Sequence, residues 1–487
     1  MNTSQEYVPP KNGFRTFLVL WFTQSISAFG SQLTFFALTI WIATVLYPHS
    51  EQKPELAFAL SAIALAFGIP QVLSAPIAGA WADRHDRKRT MMVADASSGV
   101  LNLVLLALIV ANVLQIWMLL ILVVGMALAS SFHYSAFDTS YAMIVPEKQL
   151  PRANGMMQTM WAFSAIISPA AAAFIVSLPG LARQGFVPGA LGDWLRGWES
   201  GAPLAVAIDA ATFFFGAFIL LFLVIPSPKR TDLHSEDGKV KTSMWSDIKL
   251  GARYIWNRRP LLWLLATFTV INFASSPLEV FIPLLLKFNL AADWGARGFT
   301  FETALALLAS VAGVGGVVGG LFISAWGGLK KKRIYGVVVP ILISGVAQIV
   351  YGLSPFLFLT VAMNFLLVAL MPIMNAHSQT IWQTQTPREL QGRVFAVRRL
   401  IAQFSGPLAV FISGIAGGLF NPGMVLAVLG GIVVLFAIFQ LFNPSLLRVE
   451  DKAYLDELAA RAGEPSEEQP GTRATTGKEL VPNTSVD

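Results

Sequence analysis

The sequence predicts an all-α membrane protein with twelve transmembrane helices in two six-helix bundles, and three observations carry that prediction. Of 487 residues, 55% are hydrophobic and only 13% charged, against about 25% charged in an ordinary soluble domain. Mean hydropathy is +0.62, more apolar surface than a soluble core needs. Twelve stretches approach or exceed the roughly 20 apolar residues that span a bilayer, and helices are favoured there because lipid offers no partners to unpaired backbone groups. Finally, the basic residues concentrate in alternate connections.

Taken in order, the first six segments run over Phe17–Leu46, Leu56–Ala80, Met91–Ala111, Ile116–Phe137, Gly155–Leu178 and Pro203–Ile225. The second six run over Leu261–Leu286, Thr303–Ala325, Tyr335–Tyr351, Phe356–Ile381, Val394–Phe420 and Met424–Phe442. The longer ones are expected to tilt or to project beyond the bilayer core. The polar start, Met1 to Gly13, leads straight into a span too long for a signal peptide. The expected organisation is an N-terminal bundle over 1–226, a cytoplasmic linker over 227–260, a C-terminal bundle over 261–443 and a largely disordered cytoplasmic tail over 444–487. Within the tail a short amphipathic stretch lies near Tyr454–Arg461.

Orientation follows from Lys and Arg in the connections. With both termini cytoplasmic, 29 of the 34 basic residues lie inside. The five outside are Lys53, Arg183, Arg196, Lys287 and Arg297. This split accounts for the net charge of +6 as topology, so no nucleic-acid partner is expected. The sequence also places the protein in an inner or plasma membrane with the bilayer as its partner. Cysteine is absent, which excludes disulfides and thiolate sites. No cofactor or metal is expected.

The two halves echo one another. Ala80-Trp81-Ala82-Asp83-Arg84-His85-Asp86-Arg87-Lys88-Arg89 follows the second helix, and Ala325-Trp326-Gly327-Gly328-Leu329-Lys330-Lys331-Lys332-Arg333 follows the eighth. Val145-Pro146-Glu147 is matched by Thr386-Pro387-Arg388-Glu389, and Ser168-Pro169 by Gly406-Pro407. Three echoes in one order indicate a parallel internal repeat, as in two-bundle transporters.

The run Gly79-Ala80-Trp81-Ala82-Asp83-Arg84-His85-Asp86-Arg87-Lys88 resembles motif A of the major facilitator superfamily, Gly-x-x-x-Asp-Arg-x-Gly-Arg-Arg/Lys, with Asp86 where Gly is usual. Ile26-Ser27-x-Phe29-Gly30-Ser31, Ile208-Asp209-Ala210 before Phe213, and Gly392-Arg393-Val394 are similar to the macrolide-efflux and enterobactin-exporter-like drug:proton antiporter branch. The resemblance covers the chain up to about Asn443. It implies a transporter, not an enzyme, that exports small amphipathic molecules (drug, macrolide or siderophore-like) by alternating access and proton antiport, as a monomer.

The resemblance also implies a cytoplasmic gate. Asp83 would face the N-terminal end of helix eleven near Arg393, where unpaired N–H groups carry partial positive charge. The motif's arginines, Arg84 and Arg87, with Lys88, would complete the latch against Asp138 at the inner end of helix four, with Asp95 close by. The plainer reading gives these basic residues only an orienting role. Helix five carries Gly155, Ser164, Ser168-Pro169 and Ala172-Ala173 at the spacing of the antiporter motif C, with Ser and Ala replacing most glycines; ordinary close packing explains them equally well. Motif B, an Arg inside helix four, is missing, with Ile121 and Leu122 near its place.

Burying a charge at the bilayer centre costs at least about 2.5–3.5 kcal/mol, which makes intramembrane ionisable residues functional candidates. Glu279 lies about 18 residues into helix seven, flanked by Pro277 and Pro283 that can break the helix. It is the first choice for proton coupling and Asp209, in helix six, the second, although a structural hydrogen-bonded role suits Asp209 as well. His133 and His377 suit structural roles better than a relay. Gln24, Ser27, Gln32, Asn272, Asn364, Asn375 and Gln379, with the aromatic faces of Trp161 and Trp382, are candidates for a substrate cavity, and inter-helix hydrogen bonding competes for about half of them. The rival function on the same fold is a lipid or lysolipid flippase or an uncoupled facilitator. An ATP-driven pump is not expected, since the sequence holds no phosphate-cradling Gly-x4-Gly-Lys-Ser/Thr.

Overall fold

The computed structural model describes residues 12–225 and 244–461. The polar start, most of the expected linker and the end of the tail lie outside the described residues. Among those described are twelve helices long and apolar enough to cross a membrane. The N-terminal six are α1 (Gly13–Trp41), α2 (Lys53–Arg84), α3 (Arg87–Val110), α4 (Ile116–Ile144), α5 (Leu150–Arg183) and α6 (Ala202–Phe222). The C-terminal six are α7 (Arg259–Ser275, resuming over Leu278–Phe288), α8 (Phe301–Trp326), α9 (Tyr335–Leu353), α10 (Leu357–Gln385), α11 (Arg388–Leu419) and α12 (Pro422–Leu441). At the face carrying the chain ends, α4, α5 and α10 continue past their apolar stretches. Hydropathy marks where lipid lies, whereas backbone hydrogen bonding carries the helix on into water.

Within the first bundle α1 packs on α5 and α6, α2 on α4, and α3 on α4 and α6; within the second, α8 packs on α10, and α9 on α10 and α12. The bundles meet chiefly through α2 on α11 and α5 on α8. These two seams are equivalent under a two-fold exchange of the halves, since α2 and α8 are second helices and α5 and α11 are fifth ones. The internal repeat visible in the sequence is therefore also the symmetry of the interface.

Small residues let the seams close. A Cβ added at Gly414 would lie 2.8 Å from Ser61 Oγ, at Gly417 3.2 Å from Ala57, and at Gly313 2.9 Å from Ile166. Ser310 Oγ donates to the Ile166 carbonyl at 2.8 Å. Farther toward the face opposite the termini, Lys53 Nζ donates to the Phe420 carbonyl at 3.0 Å. Lys287 Nζ, on α7, donates across the interface to the carbonyls of Ala43 and Tyr47, at the end of α1. All these contacts lie at mid-depth or toward the opposite face. At the terminal face, a Cβ at Gly79, Gly155 or Gly392 would meet nothing within 4 Å. The molecule is closed at one face and open at the one that carries its termini.

Five short α-helices accompany the spans among the described residues, and three of them carry named tethers. Gly189–Arg196 lies between α5 and α6 and is tied down by Arg196, which donates to the Ala182 carbonyl and pairs with Asp193 at 2.8 Å. Met244–Asn257, inside the expected linker, packs on α11 and α7, and Tyr254 donates to the Gln385 carbonyl at 2.7 Å. Lys452–Arg461 lies on that linker helix, and Asp451 caps it by accepting from the Tyr454 N–H at 3.1 Å.

Candidate functional site

The site begins with the break in α7. Pro277 has no N–H to continue the ladder, and the helix stops at Ser275 and restarts at Leu278. The Ala274 carbonyl beside the break accepts from the Gln348 side chain of α9 at 3.0 Å. Pro283 remains inside the second segment. Glu279 stands in the first turn after the break and opens into a niche of about 210 Å³. The niche is walled by Ala64, Leu65, Gly68 and Ile69 of α2, Ser276 of α7, and Gly406, Pro407 and Val410 of α11. Glu279 is exposed although it lies inside the helix assembly, and among the described residues its carboxylate has no hydrogen-bond or ion-pair partner. An accessible, unpaired acid at the junction of both bundles can take up a proton or a cation.

Asp209 occupies a different setting. It is only 3% exposed and accepts from Asn102 Nδ2 at 3.0 Å and Ser31 Oγ at 3.3 Å. A Cβ at Gly30 would lie 2.9 Å from its Oδ1, so glycine is required for this approach. One layer nearer the termini, Asp95 Oδ1 lies 2.8 Å from His133 Nδ1. The other oxygen of Asp95 and the Gln24 amide nitrogen flank Gly216 of α6. The two layers repeat after seven residues on each of three helices: Gln24 and Ser31 on α1, Asp95 and Asn102 on α3, Asp209 and Gly216 on α6. A seven-residue spacing keeps each pair on one helix face, and the result is a polar seam inside the N-terminal bundle. Gln24 Nε2, Asp95 Oδ2 and Asn102 Oδ1 are buried there without hydrogen-bond partners among the described residues.

The remaining cavity candidates divide. Gln32 and Asn375 are exposed, and Trp161 is 36% exposed. Ser27 and Asn364 are buried, and Asn364 Nδ2 donates to the Leu308 carbonyl at 3.1 Å, joining α10 to α8. Asn272 Nδ2 donates to the Ala402 carbonyl at 3.2 Å. Trp382 corrects the expectation of an aromatic cavity face: it is fully buried in the C-terminal core. The guanidinium of Arg398 lies 5.3 Å from its ring centroid and donates to Gln379 at 2.8 Å. His377 is held at both nitrogens, accepting the Leu329 N–H at 2.9 Å and facing the Ile373 carbonyl at 2.8 Å.

Residues 20–410 match the Major Facilitator Superfamily. The chain belongs to that family. Among curated proteins it is similar to macrolide efflux protein A of Streptococcus pyogenes, at 23% identity over 401 residues, covering 82% of this chain and 88% of that protein. Its counterpart in Enterococcus faecalis is 24% identical over 356 residues, covering 73% and 99%. Among solved structures, a bacterial homologue of the human lysosomal transporter Spinster, inward-facing and unoccupied, aligns with a TM-score of 0.58 at 17% identity over 93% of this chain and 98% of that one. The POT family transporter PepTSo aligns with a TM-score of 0.61 at 14% identity, covering 90% and 98%. At these identities the structural likeness establishes the fold, which is that of a membrane transporter with twelve spans.

The motif A residues of this family sit at the open face. Gly79 lies in the last two turns of α2, and Asp83 is accessible, its side chain 71% exposed, with Arg87 at 3.8 Å. Arg87 is buried and donates to the carbonyls of Ala82 and Thr139 rather than to the carboxylate of Asp138, which is exposed. The pairing expected between a motif arginine and Asp138 is thus replaced by a bond to the adjacent backbone. Lys88 Nζ donates to the Leu221 carbonyl at the end of α6, 2.8 Å away, and Arg84 is exposed. Asp86, the departure from the motif's glycine, caps α3 by accepting from the Arg89 N–H at 2.9 Å. Arg393 packs with its backbone on Gly251 of the linker helix. The structure does not bring Asp83 and Arg393 together in this state.

Sequence reasoning missed two features. Arg398 was counted with the orienting charges, yet it lies ten residues into α11, roughly 15 Å along the helix. Gln348, which braces the break in α7, gave no signal because a lone Gln in an apolar span resembles any packed polar residue.

Proposed function

We propose that this transporter is a secondary active exporter of small amphipathic molecules (drug, macrolide or siderophore-like) driven by proton antiport. It would lie in an inner or plasma membrane with the terminal face cytoplasmic, the orientation favoured by 29 of 34 basic residues. The observation that carries the reading is Glu279: an accessible carboxylate without a partner among the described residues, beside a helix break, where α2, α7 and α11 meet. The macrolide-efflux relatives support efflux as the direction. In this orientation the structure is inward-open, and motif A lies where it would latch the opposite state, with Asp83 reaching the start of α11. Asp209 remains the second coupling candidate, and Gln32, Asn375 and Trp161 are the accessible candidates for cargo contacts.

The test is efflux of a panel of lipophilic dyes and macrolides from cells, native against Glu279→Gln, with and without an uncoupler. Efflux abolished by both treatments supports an antiporter coupled through Glu279. Efflux that survives both moves the protein to a facilitator or lipid flippase.

A further inference from the structure

The connection between α5 and α6 has no equal in the other half. α5 ends at Arg183 and α6 starts at Ala202, whereas the corresponding α11 and α12 are separated by Phe420 and Asn421 alone. In a molecule built on an internal repeat, residues 184–201 are an addition that the two-bundle fold does not require. They hold the helix Gly189–Arg196 at the face opposite the termini.

The two sides of this helix differ. Leu191, Trp194 and Leu195 follow the i, i+3, i+4 spacing of one helix face, and the Asp193–Arg196 pair lies on the other. Leu195 is buried, but Leu191 is 60% exposed, Trp194 49% and Phe186, shortly before the helix, 72%. The ring of Trp194 leans on that of Trp198, with centroids 5.0 Å apart. Hydrogen bonds tie the element to the ends of the spans. Arg196 Nε donates to the Ala182 carbonyl at 3.0 Å, and Arg183 to the Trp198 carbonyl at 2.7 Å. The Gly201 N–H donates to the Val176 carbonyl of α5 at 3.0 Å. The helix is therefore held against the end of α5, at the level where that span leaves the lipid.

We propose that the helix Gly189–Arg196 is an interfacial anchor lying in the leaflet opposite the termini. Phe186, Leu191 and Trp194 enter the boundary between phospholipid headgroups and acyl chains. The proposal is independent of the cargo and of proton coupling. Exposed apolar side chains this close together call for a cover, and the tethers decide which. They keep the patch beside the span ends, where the lipid-facing surface of α5 continues into it. Tryptophan concentrates at that depth, and short amphipathic helices lie there with their apolar side inward. Arg183 and Arg196, both exposed, supply the cations that lipid phosphates accept. A second copy of the chain is a poorer occupant, because three side chains fall short of the roughly 800 Å² per partner that a stable protein interface buries. The anchor ties the end of α5, and with it one half of the α5–α8 seam, to a single leaflet.

The absence of cysteine permits single nitroxide labels in the full chain, purified into phospholipid nanodiscs. Leu191→Cys and Phe186→Cys report separately on the apolar side, so each is read with the other residue and Trp194 in place, and thermal melting verifies folding. Asp193→Cys reports on the opposite side, and Leu435→Cys, exposed on α12, on the acyl chains. Oxygen concentrates in lipid and a nickel chelate stays in water, so the ratio of their collision rates with the label measures depth. The expected ratio is at least fivefold higher at Leu191→Cys and Phe186→Cys than at Asp193→Cys, approaching that at Leu435→Cys. Ratios at the two apolar positions no higher than at Asp193→Cys overturn the proposal. So does shielding from both reagents: dipolar broadening between labels then assigns the face to a second copy, and its absence assigns the face to contacts within the chain.

Discussion

Gly414→Leu should open the closed face. Gly414 of α11 sits at the seam with α2, where a Cβ would lie 2.8 Å from Ser61 Oγ and 2.9 Å from Ser61 Cβ. Ser61 is buried, and α2 and α11 belong to opposite bundles. Leucine adds three further carbons beyond that Cβ, and overpacking of this kind costs about 1–3 kcal/mol. The cost falls on the state closed at this face, because parting the bundles relieves it. The ratio of open to closed populations should therefore rise about 5- to 150-fold. The chain has no cysteine, so Gln184→Cys and Ala296→Cys, exposed on opposite bundles at this face, take spin labels without background. Electron–electron resonance distances between them should lengthen in Gly414→Leu relative to the native chain. An unchanged distribution, with unaltered melting, would refute the claim that this seam holds the face shut.

Related outcomes follow from the same geometry. Lys287→Met removes the charged hydrogen bonds to Ala43 and Tyr47, worth about 1.5–3 kcal/mol each when charge-assisted, and should shift the same label pair toward longer distances by at least tenfold in population. Gly30→Ala would place a Cβ 2.5 Å from Thr212 Oγ1 and 2.9 Å from Asp209 Oδ1; it should lower thermal stability by about 1–3 kcal/mol, and native-like melting would contradict the close packing assigned there. Asp293 lies outside the spans, and its carboxyl is held below the ordinary carboxylate range by hydrogen bonds from Arg297 and from the Leu357 N–H. A depressed native pKa stabilises at pH above the unfolded value of about 3.9 and stops doing so as pH falls through the native value. The melting advantage of the native chain over Asp293→Asn should accordingly be constant from pH 7 to 5 and vanish in stronger acid; an advantage that persists there would contradict the assignment.

The spans were legible because lipid leaves no alternative to long apolar helices, and the break at Pro277 because proline cannot donate to the ladder. Which side of each span faces a neighbour was not legible. A helix that is apolar all round carries no amphipathic stripe, so nothing in the sequence separated Trp382, sealed in the core beneath Arg398, from Trp161, which is accessible. The polar candidates failed to sort for the same reason: Asn364 and Asn272 serve inter-helix bonds, while Gln32 and Asn375 remain accessible. The seven-residue pairs on α1, α3 and α6 were present in the sequence, but their common purpose appears only when the three helices pack. The spacing of motif A located its residues at the connection between α2 and α3, whereas the partners of Arg87 depend on the backbone of α4 and could not be counted in advance.

The central claim is exchange of a proton for cargo at Glu279. The most direct measurement is the internal pH of proteoliposomes loaded with a pH-sensitive dye, followed as a macrolide or tetraphenylphosphonium is added outside at zero membrane potential. Substrate-dependent proton movement in the native protein, absent in Glu279→Gln, is the expected result. Proton movement of native size in Glu279→Gln, or substrate flux with no proton movement at all, would contradict the account.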